Sequence, residues 1–337
     1  MSPLPNPIRV GIIGLGIGDG DFAAGLWAAK AHLPYLVASP HYTITAISNS
    51  SVASSQASID HYKLGPNVKA YGSPEDIAAD PNVDMVIVSV RVQKHYDLTK
   101  PALEAGKMVY VEWPLAATVS EAEELTALAK AKNLKTIVGV QARASPLEAK
   151  LRSILASGSL GTILSSTVNA TFSGLPHDMF PVGAEYYLDI NSGGNPFTIF
   201  IGHFLDSFVY LLGDFGNKIS AVFDVKYPQT KLIDFTDPKL EVKGVVDRSA
   251  PDHVFALGKL KSGALASIAY RTVPVPQVQE QGLIWTITGT EGELVVETAP
   301  GMWQMFEADG LTVKLRKGKG EIEVIDLGMF GSYFDIT

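Results

Sequence analysis

The stretch Gly11-Ile-Ile-Gly14-Leu-Gly16-Ile-Gly18 places four glycines directly after a short apolar run. Glycines there let a turn approach a pyrophosphate closely, and the phosphate takes its hydrogen bonds from backbone N–H groups at the start of the next helix. In the frame beginning at Gly14 the third glycine position holds Asp19, and Asp21 follows. Carboxylates there suit a helix dipole but repel phosphate, so a glycine turn without a ligand is the alternative. The second apolar segment ends Ser48-Asn49-Ser50-Ser51, where dinucleotide folds usually carry the Asp or Glu that bonds a ribose 2′-hydroxyl. No acid is present to repel a 2′-phosphate and no arginine to grip one, so NADP is permitted and weakly favoured over NAD, with Asn49 and Ser50 as cofactor contacts.

Further side chains suited to chemistry sit at segment ends. Glu112 and Trp113 close an apolar strand-like run, the position at which doubly wound sheets bind ligands. Trp113 can stack on a flat ring or pack as ordinary core. Gln141 and Arg143 follow the last such run. A guanidinium there can hold a substrate carboxylate or carbonyl, or form a salt bridge. Tyr186, Tyr187 and Asp189 lie in a loop bounded by Gly and Pro, and a tyrosine can line a pocket or donate a proton to a carbonyl. His203, with an ordinary pKa near 6.5, can serve as acid or base, or bond a backbone carbonyl. Lys94 reads as a solvated side chain. His177-Asp178 has no further ligand at metal spacing, so no metal site is expected.

Alternating elements must position these groups. Strands are expected at Ile8–Leu15, Tyr42–Ser48, Val83–Val90, Met108–Val111 and Leu134–Val140. Helices are expected at Asp21–Leu36, from Asp76, at Tyr96–Ala105, and from a Ser120 cap with Glu123 as its partner to about Lys132. This predicts a doubly wound parallel sheet. Pro146–Ser157 reads as a linking helix. From Gly161 long β segments recur at 161–173, 217–227, 253–260, 264–273, 283–289, 292–297 and 311–325, with helical signal only near 201–212. The second half is therefore a largely antiparallel sheet with one open face. The fold class is α/β plus α+β, with a Rossmann domain over residues 1–142 and an α+β substrate and dimerisation domain over 143–337.

Composition excludes several classes. At 337 residues the chain suits about two domains of roughly 150 residues. Hydrophobic residues are 46% and charged residues 18%, which suits a well-buried globular chain. With no cysteine, disulfides, thiolate catalysis and Cys-ligated zinc are excluded. A net charge of −8 without a long Lys/Arg run argues against a nucleic-acid face. The densest basic stretch, Lys314–Lys319, reads as a hairpin turn at Gly318 and Gly320. No apolar run approaches the ~20 residues of a membrane helix, and residues 1–7 lack signal-peptide character. A cytoplasmic location without membrane association is expected.

Several segments together resemble the glucose-fructose oxidoreductase / inositol dehydrogenase (Gfo/Idh/MocA) family. They are Ser89-Val-Arg-Val-Gln-Lys-His95-Tyr, Tyr110-Val-Glu-Trp-Pro-Leu-Ala-Ala117, Gln141-Ala-Arg143-Ala-Ser-Pro146, Glu185–Gly193, Gly202-His203 to Asp206, and Pro251-Asp-His253. The resemblance implies NAD(P) as cofactor, held by Gly14, Gly16, Gly18, Ser89, Val90, His95, Glu112, Trp113 and Pro114. It puts Trp113 where the family carries a proton-transferring lysine beside the nicotinamide, and Ile199 where it carries an aspartate four residues before His203. An indole N–H donates a hydrogen bond but cannot shuttle a proton near neutral pH. The catalytic set implied is then His203, Tyr187 and Trp113, with Arg143, Gln141, Tyr186 and Asp189 toward substrate. The expected function is an NAD(P)-dependent oxidoreductase, in the reducing direction, on a small carbonyl, imine or sugar-like substrate. The alternative is a non-catalytic NAD(P)-binding regulator, because the pattern is similar to a fungal branch that includes a galactose-regulon repressor. Family members pair their open sheets, which implies a homodimer.

Overall fold

The computed structural model describes residues 6–18, 25–172, 176–274, 278, 280–305 and 310–328. The described residues form two compact units: one within residues 6–139 together with Asn191–Gly194, and one of Val140–Ile190 together with the described residues between 195 and 328. The second unit begins three residues earlier than the sequence boundary, because Gln141–Ala144 forms a 3₁₀ turn leading into its first helix.

The first unit carries six parallel strands: β1 Ile8–Ile13, β2 Tyr42–Ser48, β3 Lys69–Tyr71, β4 Met85–Val88, β5 Met108–Glu112 and β6 Thr136–Gly139. Their order, β3-β2-β1-β4-β5-β6, reverses direction between β1 and β4. Ligands bind at the carboxyl ends of strands at such a switch point. The central strands are apolar on both faces, with Val10, Ile12, Val86 and Val88 fully buried, as a sheet covered on both sides requires.

The helices follow the sequence with instructive differences. Asp19 to Ala24, including the expected helix start at Asp21, lie outside the described residues. After Leu26 and Trp27 the chain passes through a π turn, Ala28–His32, into α1, Leu33–Ala38. Pro34 has no N–H to donate to the carbonyl four residues back, which accounts for the wider turn. Helix α2, Val52–His61, was not foreseen. Its Ser/Ala-rich sequence has little apolar period, and it starts on a reciprocal cap between Ser51 and Ser54. Helices α3 Pro74–Ala79 and α4 His95–Glu104 begin within two residues of expectation. Helix α5, Val119–Ala131, corrects the expected start. The cap is Thr118 with Glu121, whose side chains exchange bonds of 3.2 and 3.1 Å with each other's backbone N–H, and Ser120 lies inside the first turn. Both pairs fit the S/T-x-x-E spacing, and the extended backbone at Thr118 selects the earlier one.

In the second unit α6, Pro146–Ala156, precedes β7, Ile163–Phe172. An eight-stranded sheet follows the order β17-β16-β15-β14-β7-β13-β12-β9. Its other members are β9 Phe215–Asp224, β12 His253–Leu260, β13 Leu265–Thr272, β14 Leu283–Gly289, β15 Gly292–Thr298, β16 Thr312–Lys317 and β17 Glu323–Val324. Every neighbouring pair is antiparallel except β7 with β13. The hairpin expected near Gly318 joins β16 to β17. Helix α7, Gly202–Leu212, lays Phe204 and Phe208 on Trp285, with ring centroids 5.2 and 5.7 Å apart. The buried indoles are satisfied: Trp285 donates to Ser166 Oγ at 2.8 Å and Trp303 to Ser207 Oγ at 2.6 Å. A three-stranded sheet of β8 Met179–Pro181, β10 Gln229–Ile233 and β11 Val242–Asp247 was not anticipated. Its strands are short and interrupted by Pro181 and Gly244, which hides the period-two signal.

Candidate functional site

In the first unit the glycine loop leaves β1 at the switch point. Gly14 has φ +96, and a Cβ on it would lie 2.4 Å from the Ser89 carbonyl oxygen and from Val90 Cγ1. Only glycine fits there, so the loop runs flush against the exit of β4. Gly25, φ +77, packs as tightly against Gly16, whose N–H donates to its carbonyl at 3.1 Å. The loop's carbonyls are drawn toward α2. Asn49 Nδ2 donates to Leu15 O at 2.9 Å, Ser58 Oγ to Leu15 O at 2.6 Å, and Tyr62 OH to Gly16 O at 2.6 Å. Ser58 and Tyr62 were missed in the sequence, because the helix that carries them has no strong periodic signal. Asn49 has its amide nitrogen committed to the loop, and Ser50 is exposed beside it. Gly18 is exposed at the far end of the loop.

The other expected cofactor residues line the exits of β4 and β5. Ser89 is buried, donates its N–H to Ile13 O, and has an enclosed hydroxyl without a partner among the described residues. His95, 1% exposed, staples the two exit loops together, with Nδ1 2.7 Å from Pro114 O and Nε2 3.0 Å from Val90 O. Burial holds its imidazole below the ordinary value, against the opposing pull of both carbonyls and the Glu112 carboxylate. Glu112 turns to His32, 2.5 Å away. Trp113 is half-buried and joined to Pro114 by a cis peptide bond. A cradle that a Cβ would fill, a polar strand exit and a loop held by its carbonyls fit a dinucleotide. Gly14, Gly16, Ser89 and Val90 would hold its pyrophosphate end, and Asn49 with Ser50 its ribose. When bound, NAD(P) supplies hydride-transfer chemistry.

In the second unit His203 is 5% exposed, in the first turn of α7. Tyr186 and Tyr187 form a ring pair with centroids 4.5 Å apart, and Tyr187 packs beside Phe180 and Phe200. Asp189 is exposed and accepts from Ser249 Oγ at 3.2 Å. Arg143, expected toward substrate, has its fork engaged by Asp206, with Nε and Nη2 donating at 2.7 and 2.6 Å, and its guanidinium lies 4.6 Å from the Tyr210 ring centroid. Gln141 Oε1 is enclosed without a partner among the described residues. Glu148 was missed in the sequence, where an acid in a first helical turn reads only as a helix start. It is 1% exposed with neither carboxylate oxygen in hydrogen-bonding geometry, beside Ser207 and Trp303. Burial pushes its carboxyl above the ordinary range, and Asp206 adds to this.

His177 packs on Tyr227 and Asp178 pairs with Lys231 at 2.8 Å. No group of three metal-ligating side chains converges among the described residues, and no helix among them is long and apolar enough to cross a membrane. An aromatic cavity between α7 and the large sheet measures about 40 Å³. That is far below the roughly 300–1,000 Å³ of small-molecule sites.

Known proteins match both halves. Residues 8–140 match the model of an oxidoreductase family with an NAD-binding Rossmann fold, and residues 146–298 that of the Gal80p C-terminal domain. The chain belongs to the Gfo/Idh/MocA oxidoreductase family with an NAD-binding Rossmann fold. Within it, the second half is of the Gal80p type. It is 30% identical to the galactose/lactose metabolism regulatory protein GAL80 of Kluyveromyces lactis, covering 94% of this chain and 70% of that protein. It is 35% identical to dehydrogenase aclE of Aspergillus oryzae, covering 86% and 76%. The crystal structure of a super-repressor mutant of Gal80p from Saccharomyces cerevisiae superposes with a TM-score of 0.85 at 26% identity, covering 97% and 83%.

Proposed function

We propose that this chain is a cytoplasmic NAD(P)-dependent reductase of a small carbonyl, imine or sugar-like substrate, with NADP weakly favoured. The observation that carries this reading is the glycine loop, flush against Ser89 and Val90 with its carbonyls bonded to Asn49, Ser58 and Tyr62. Similarity to a dehydrogenase over most of the chain supports it. In this reading Trp113 stands at the family's lysine position and orients the nicotinamide, and His203 or Tyr187 donates the proton. The same reading assigns Arg143, Gln141, Tyr186 and Asp189 to the substrate side, Arg143 through the pair it makes with Asp206. An activated or cationic acceptor needs less acid catalysis than a ketone, which suits a site without the lysine.

A second reading, an NAD(P)-responsive regulator, is favoured by Trp113 and Ile199, neither of which exchanges a proton, and by the similarity to a regulatory protein. In either reading we propose that the open face of the eight-stranded sheet pairs with a second copy. The deciding experiment is a titration with NADPH and NADH, followed by energy transfer from tryptophan, then turnover assays with carbonyl and imine acceptors. Saturable binding with turnover that His203→Ala abolishes, at unchanged cofactor affinity, supports the enzyme. Binding without turnover of any acceptor supports the regulator. A folded protein that binds neither nucleotide defeats both.

A further inference from the structure

Arg248 is the most conspicuous group in the second unit without an assigned task. It follows β11 directly and is 8% exposed. Its backbone N–H donates to Pro228 O at 2.8 Å, and the next two N–H groups, of Ser249 and Ala250, both donate to Leu188 O at 2.9 Å, so the turn is rigidly held. The side chain makes one bond, from Nε to Ala250 O at 3.0 Å. The terminal guanidinium nitrogens have no hydrogen-bond or ion-pair partner among the described residues, yet they are not fully enclosed.

Taking a cation out of water without a counter-charge in contact is among the costliest arrangements in a fold. Arg143 shows the ordinary solution, a two-pronged pair with Asp206. Arg248 has none. The buried carboxylate that acts on it, Asp252, is already used by the N–H groups of Lys226 and Tyr227 and by His253 Nδ1. Burial accordingly disfavours the charged guanidinium, with Asp252 and Tyr270 opposing that effect.

Among the other stranded polar groups of this unit, two lie on β13 and β10. The Tyr270 hydroxyl, on β13, is enclosed without a partner in hydrogen-bonding geometry, Thr272 being beside it. Strand pairing sets Tyr270 opposite Val254, with the Thr272 N–H on Asp252 O at 2.9 Å, and Arg248 Nε reaches Ala250 O, so both groups adjoin the segment Ala250–Val254. Thr230 Oγ1 is also enclosed and without a partner among the described residues. Thr230 opposes Val246, two residues before Arg248, so the ladder register puts Thr230 and Arg248 on one side of β10–β11. Unpaired donors at a rigid turn, headed by a planar guanidinium fork, match an oxyanion.

We propose that the free end of Arg248 binds the oxyanion group, carboxylate or phosphoryl, of a small-molecule ligand, with Tyr270 as a second donor. The proposal stands whether or not the protein turns over a substrate, since it concerns binding within the second unit alone.

The test is thermal melting of the whole protein in low-salt chloride buffer, titrated separately with inorganic phosphate and with acetate. A saturable rise in Tm with either anion is expected, and the more effective one names the ligand group. Arg248→Gln should weaken that response at least about tenfold. Arg248→Lys, a point charge without the fork, should retain part of it, and Arg316→Gln, an exposed arginine on β16, should retain all of it. Arg248→Met should melt no lower than wild type in the anion-free buffer, because an apolar side chain removes an uncompensated charge. The proposal is overturned if neither anion gives a saturable shift, if the shift survives in Arg248→Gln or is lost in Arg316→Gln, or if Arg248→Met melts several degrees lower or does not fold. Those last results would make Arg248 a structural brace.

Discussion

Single residues in this chain divide into those whose task was visible from their type and those whose task depends on partners. His95 belongs to the second group. A histidine after a strand suggests a cofactor contact, but both its ring nitrogens face backbone carbonyls of neighbouring loops. A neutral ring donates through only one nitrogen, so removing it leaves one of those carbonyls without its donor, and His95→Leu should cost about 1–3 kcal/mol, measured by denaturant unfolding. Its pH dependence has a definite sign. The folded-state pKa is depressed, so the unfolded chain takes up the proton more readily. Stability from this group is complete above the ordinary histidine value near 6.5 and declines as pH falls below it, by at most about 1.4 kcal/mol per pH unit. Melting between pH 7 and 5 should therefore show a shallower decline in His95→Gln than in wild type. Equal slopes would mean that the ring titrates as if exposed.

Among the elements, α2 shapes the cofactor cradle without touching the glycine motif in sequence. Ser58 and Tyr62 hold the carbonyls of Leu15 and Gly16. The double variant Ser58→Ala/Tyr62→Phe should therefore weaken NAD(P)H binding by about tenfold or more, by analogy with a pair of hydrogen bonds of about 1 kcal/mol each. The first-strand glycines would be intact. Fluorescence titration reads the change, and unchanged affinity would show that the loop holds its shape alone. This element also shows why part of the site was hidden. The parallel strands were legible because both faces are covered and their apolar runs are continuous. A helix written Val-Ala-Ser-Ser-Gln-Ala-Ser carries no such pattern. The same applies to Glu148, whose significance comes from burial, and to β8, whose pairing with β10 joins segments distant in sequence.

At the scale of the molecule, one face of the large sheet stays apolar and uncovered. Val222, Phe255, Leu257 and Leu265 are 65%, 48%, 62% and 62% exposed. The ladder register sets them on a common face of β9, β12 and β13. A patch of this kind marks an association surface. If a second copy covers it, Phe255→Glu/Leu257→Arg should convert a dimer to a monomer in light scattering, with the melting of the Rossmann unit unchanged. A wild-type protein that is monomeric at every concentration would rule the pairing out.

The contact between Glu112 and His32 reaches a third position. Gly139, at the end of β6, has no side chain, and a Cβ there would sit 2.6 Å from the Glu112 carboxylate. The carboxylate occupies the space that alanine would need. Positions 32, 112 and 139 therefore form one packed unit. In relatives where 139 carries a side chain, the acid at 112 should be shortened or lost, and the histidine at 32 released to vary with it. A change at any one of them in isolation should be poorly tolerated, while a matched change at all three should be silent.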